Sequence, residues 1–152
     1  MSTTRRTGPS TAAMLLGMGL TVAAVVVVYV DRASADVLAG HIRAGYPGYD
    51  QGQIDTAATT YLAYLTVLGV LGVLAWGAGV WVTRKRLTVA PWLVSALFVV
   101  GTSVALFNLT VRDTSGATGL APLIGWVGLL PSLAGLAAVV LVWRARRGEV
   151  AS

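Results

Sequence analysis

The chain has no cysteine. That absence excludes a disulfide framework, a CxxC redox pair and any thiolate metal site. Histidine occurs once, and charged residues make up only 11% of the 152 positions. A soluble domain carries about 25%, so most of this surface is not built for water. The charges that exist also avoid certain places. None of the four long apolar runs holds an Asp, Glu, Lys, Arg or His in its middle. Proton- and ion-coupled transporters generally keep such a group near the bilayer midplane. The lack of one argues against a proton-coupled exporter and against membrane enzymes that work through buried acids or a buried Arg–Glu pair.

What is present is apolar: 56% of the residues are hydrophobic. Runs at 11–30, 56–83, 89–111 and 120–143 are each about long enough to cross a hydrocarbon core of ~30 Å as a helix. A segment in lipid must satisfy its own backbone, so even the β-branched stretch Val25, Val26, Val27 and Val28 becomes helix. The expectation is an all-α fold, an antiparallel bundle of four transmembrane helices forming a single membrane domain over 11–144. It is flanked by a polar arm at 1–10 and a tail at 145–152. Small-residue faces recur along the runs. The clearest is a seam on the last one, Ala121, Gly125, Gly128, Ser132 and Gly135, spaced by threes and fours so that another helix backbone can lie against it. Pro91 and Pro122 fall where a first helical turn tolerates them. Pro131 lies inside the last run and deprives the Val127 carbonyl of its donor.

The polar loop at 31–55 holds one further element. Ser34 is placed to cap a short amphipathic helix that has Asp36 in its first turn and Val37, Leu38, His41 and Ile42 on one side. Gly45 ends it. Asp55 or Thr56 would cap the following long helix. The run at 11–30 also competes with a signal-peptide reading, with Ala33, Ser34 and Ala35 as the cleavage site. Its length, and the charges Asp31 and Arg32 before the cut, favour a retained span.

Charge sets the expected orientation. Arg5 and Arg6, then Arg84, Lys85 and Arg86, then Arg144, Arg146 and Arg147 all fall on one side of four spans, and basic residues mark the cytoplasmic side. Both termini are therefore expected inside a cell membrane, with the His41 helix outside. The net charge of +5 is a topology signal and a contact with anionic lipid heads. No basic face with interleaved aromatics supports nucleic-acid binding.

Candidate sites are few. His41, Asp36 and Asp50 lack the tight spacing of a metal site. No nucleophile or cofactor motif stands out, so the chain reads as non-catalytic, with no metal and no cofactor. Tyr61, Tyr64, Asn108, Arg112 and Trp126 belong to the outer halves of their helices and could line an outward-facing pocket beside Gly101, Ala105, Gly125 and Gly128. Arg112, on the face of Gly101, Ala105 and Asn108, would latch the outer loop through Asp50 or Asp55.

The stretches Tyr-Leu-Ala-Tyr-Leu (61–65), Asn-Leu-Thr-Val-Arg-Asp-Thr-Ser-Gly (108–116) and Gly-Trp-Val-Gly-Leu-Leu-Pro (125–131) carry a resemblance. Over its last two-thirds the chain resembles small uncharacterised actinobacterial four-helix integral membrane proteins. The excess of arginine over lysine fits a GC-rich bacterial genome. The resemblance implies a membrane location and supplies no activity and no catalytic residue. The expected function is structural or accessory, through helix–helix packing, with membrane lipids, other membrane proteins or a second copy as partners. The alternative is a binder or transporter of a lipid-like or amphipathic small molecule.

Overall fold

The computed structural model describes residues 8–150, with side chains to 148. The N-terminal arginines at 5 and 6 lie outside the described residues. Among the described residues there are five helices and no strand: α1 (Pro9–Ala33), α2 (Val37–Gly45), α3 (Gln51–Arg84), α4 (Ala90–Thr110) and α5 (Pro122–Val150). Four of them, all but α2, are long and apolar enough to cross a membrane. Each of α1, α3 and α5 runs past the apolar stretch that marks it in the sequence, because a helix continues through polar flanks as long as its end groups find caps.

The caps differ from expectation. Ser34 does not start α2. Its hydroxyl bonds back to the Val30 carbonyl and closes α1. The N-terminus of α2 is served by Asp31, whose carboxylate accepts from the amides of Val37 and Leu38. Asp36 sits at the junction with φ 48°, a left-handed conformation that Asp tolerates better than most residues. Likewise α3 begins at Gln51, not at Thr56. Asp50 caps it in a reciprocal box with Gln53, which satisfies two orphan donors at once. Asp55 is left free for another task.

Helix α1 is the central element. It packs along α3 on one side and α5 on the other, and α4 packs on α5. Small residues make these contacts possible. A Cβ on Gly17 would run into the Trp76 ring, and one on Gly69 into Val25. One on Gly125 would lie 2.8 Å from Leu109 Cδ1, and one on Gly135 2.9 Å from Phe98 Cδ2. The ring of neighbours is therefore α3, α1, α5, α4. It does not close firmly, since α3 and α4 touch little. Along α4 only Ala90, Pro91 and Val94 are buried, all in its first two turns.

The buried side chains form two clusters, one at each end of the bundle. At the end carrying α2, Val28, Leu38, Ala39, Ile42, Ile54, Ala58, Leu120, Ala121 and Ile124 pack together. Ala39 rather than Val37 completes the buried face of α2, and Val37 is exposed. At the other end, which carries Arg84, Lys85 and Arg86, the cluster is Met14, Val94, Ala138 and Val142. The middle of the bundle has no such cluster.

Candidate functional site: a cavity between α3 and α4

That middle is hollow. A cavity of about 410 Å³ lies between the two clusters, with walls from α1, α3, α4 and α5. Its floor at the basic end is Met14, Gly79 and Val94. From Leu65 to Gly79 along α3 the walls extend 14 residues, about 21 Å of helix. The opening faces sideways. Leu71 of α3 and Val100 and Gly101 of α4 line the cavity and are themselves exposed, Leu71 by 57% and Val100 by 62%. Glycines make the void. Gly101 and Gly128 have nothing within 4 Å of where a Cβ would stand.

The lining is predominantly apolar, and the polar groups in it are mostly engaged. Thr21 donates to the Gly17 carbonyl and accepts from the Trp76 indole at 3.0 Å. That bond pins the Trp76 ring over Gly17 as part of the wall. The Thr102 hydroxyl is not engaged. It is buried and has no hydrogen-bond partner, whereas Thr59, Thr60, Thr66 and Thr110 each bond to the carbonyl four residues back. A buried hydroxyl without a partner is costly, and this one lines the cavity.

At the α2 end the opening is tied. The Tyr64 hydroxyl donates to Asn108 Oδ1 at 2.8 Å, joining α3 to α4. Of the five residues proposed from sequence for an outward pocket, these two meet, and Asn108 also lines the central cavity. Tyr61 lies elsewhere. It borders a separate small space of about 150 Å³ beneath α2, with His41, Tyr46, Asp113 and Ser115. Trp126 is 60% exposed, because the turn that aims Gly125 at Leu109 directs its neighbour outward. Arg112 is exposed and outside both cavities. Helix α4 ends at Thr110, and Arg112 instead pairs with Thr118 in an isolated bridge. The helical periodicity that put it on the face of Gly101, Ala105 and Asn108 has stopped two residues earlier.

The latch expected of Arg112 is made by Arg32. Its guanidinium reaches both Asp36 and Asp55, and no ion pair involves Arg112 among the described residues. His41 sits over the α4–α5 loop, with Nε2 at 2.5 Å from the Thr118 carbonyl. The Tyr46 hydroxyl bonds Thr114. Together these contacts seat α2 on the bundle. Asp36, Asp50 and His41 are thus each engaged in structural contacts, and no group of three metal-ligating side chains assembles among the described residues.

The seam residues divide. Ala121 and Gly125 are buried against neighbours away from the cavity, Gly128 and Ser132 line it, and Gly135 does both, buried beside Phe98 and on the cavity wall. No atom of this chain lies within 4 Å of where a Cβ on Gly128 would stand. What sequence reasoning missed was the sideways opening and Thr102. The signal was available in Gly69, Gly72, Gly101 and Gly128, four glycines on three helices at similar depth. Only the arrangement of those helices shows that two of them are covered and two are not. No protein-family model, no curated protein and no solved structure matches this chain.

Proposed function

We propose that this is a non-catalytic integral membrane protein that takes an apolar chain of a lipid-like molecule from the bilayer into the cavity between α3 and α4. The observation that carries this reading is the cavity's sideways opening, at Leu71, Val100 and Gly101, onto the surface that faces lipid. Its volume of about 410 Å³ falls within the ~300–1,000 Å³ of small-molecule sites. The lining is apolar and the opening faces lipid, so apolar groups fill the space more favourably than water does. An occupant is therefore expected, and in a bilayer the occupant at hand is a hydrocarbon chain.

A scaffold role through helix–helix packing is the second reading, supported by the small-residue faces. Those faces are largely spent inside the chain, as Gly17 on Trp76, Gly69 on Val25 and Gly125 on Leu109. That leaves less surface for a partner helix. We further propose an antiparallel bundle with both termini in the cytoplasm and α2 outside, supported by the basic residues at one end. Cysteine labelling at Gly148 from outside intact cells, or failure to label at Ala44, would overturn this orientation.

The functional reading is tested by purifying the chain in mild detergent and weighing what stays bound by native mass spectrometry. About one lipid per protein is expected, and Gly128→Phe, which projects a ring into the cavity, should remove it. A wild-type protein that retains no lipid, or a Gly128→Phe variant that retains as much, would sink the proposal.

A further inference from the structure

Resting on that reading, we infer that the occupant is an anionic phospholipid, with its phosphate held at the basic end by Arg84, Lys85 and Arg86. The first ground is position. The two helices that frame the opening are joined at this end by the short connection between Arg84 and Ala90. A lipid entering from the leaflet at this end carries its headgroup at that connection. Leu71, at the cavity mouth, stands 13 residues before Arg84, about 19.5 Å along the helix. Half of a bilayer of ~40 Å, headgroups included, is nearly the same length. A phosphate at Arg84 thus places the ends of its acyl chains level with the cavity mouth.

The second ground is charge. Arg84, Lys85 and Arg86 are all exposed, and none makes an ion pair among the described residues. Arg146, the neighbouring cation on α5, is engaged differently. It donates to the Thr88 carbonyl and lies over the Trp143 ring. Asp31, Asp36, Asp50, Asp55 and Asp113 all stand at the opposite end of the bundle. Trp81 and Trp92 flank the connection, 57% and 65% exposed, as side chains at headgroup depth do.

The third ground is independent of both. Helix α3 ends in a paired motif in which the Arg86 amide bonds the Thr83 carbonyl and the Leu87 amide bonds the Val82 carbonyl. The residue at Arg86 must then be left-handed, and its φ is 52°. Glycine is the usual occupant because a Cβ there is strained. This chain puts an arginine in that place and bears the strain. A positive-inside signal alone needs no such placement, since any position in the loop would serve it.

The test uses the full chain in vesicles of equal phosphatidylglycerol and phosphatidylcholine, extracted in mild detergent, with bound lipid identified by mass spectrometry. A cation near an anionic surface contributes about fivefold in binding, so wild type should hold phosphatidylglycerol in at least fivefold excess. Arg86→Gly is the decisive variant. It relieves the strained φ and so should raise the melting temperature, yet it should lower the excess by about fivefold. Arg147→Gln changes the net charge equally and should leave the excess intact. Lipid bound with no preference in wild type, or an excess unmoved by Arg86→Gly, or lost equally in Arg147→Gln, would overturn the headgroup site while leaving the cavity reading standing. Absence of any bound lipid would remove the cavity reading itself, and this inference with it.

Discussion

Arg32 donates to Asp55 at 2.8 Å across 23 residues of sequence, joining the end of α1 to the first turns of α3. The same guanidinium reaches Asp36, so one side chain holds both ends of the segment that contains α2. Arg32→Ala should loosen that segment without touching the spans. Both pairs are partly exposed and screened by solvent, which keeps their contribution small. Amide exchange over residues 37–45 should therefore rise by up to about fivefold. Arg112→Ala should leave it unchanged. The reverse pattern would return the latch to Arg112.

Gly125 and Gly128 lie three residues apart on α5 and should respond oppositely to the same change. Gly125→Ala places a Cβ 2.8 Å from Leu109 Cδ1 and 3.2 Å from Leu109 Cα, and Leu109 must shift. A cost of about 1–3 kcal/mol is expected. Gly128→Ala meets nothing within 4 Å and should be neutral or stabilising, since alanine loses less entropy in a helix than glycine. Thermal unfolding in detergent measures both. Equal losses would mean that the space beside Gly128 is filled by protein.

The α4–α5 loop should open in acid. Hydrogen bonds from Ser115, chiefly its hydroxyl, hold the Asp113 carboxyl below the ordinary carboxylate range, outweighing partial desolvation that pushes it up. A depressed folded pKa contributes stability above the ordinary value of 3.8. That stability is lost as pH falls through the lowered one. Protection of residues 112–119, measured relative to the intrinsic exchange rate at each pH, should fall below about pH 4. Asp113→Asn keeps an acceptor for Ser115 and should flatten the pH dependence. An acid response that persists in that variant would assign the opening to another group.

The four spans were legible because lipid exposure and burial both demand apolar side chains, so a long uncharged run announces a membrane helix whichever way it faces. The faces were harder. The spacing of Gly125, Gly128 and Gly135 marks small positions, but whether each is covered depends on which helix crosses it. Leu109 covers Gly125, Phe98 approaches Gly135 and nothing covers Gly128. The caps show the same limit. Ser34 and Asp31 are both good capping residues three positions apart. Asp31 serves α2 because α1 continues to Ala33 and turns back through the left-handed Asp36. Arg112 was assigned to a helix face because its spacing from Asn108 is helical, and helices end where backbone partners change, at Thr110, not where a pattern does.

Two packed clusters with a hollow between them give the molecule an uneven stiffness. Close-packed interiors resist compression, and voids yield to it. The ends of this bundle are therefore hard and its waist is soft, at the depth where lipid tails press sideways on any inclusion. Because α4 is packed on α5 and barely on α3, lateral squeezing acts on one seam, the one spanned by the Tyr64–Asn108 bond. Any narrowing or widening of the waist is therefore taken up at the line between α3 and α4, while the packed ends keep their shape.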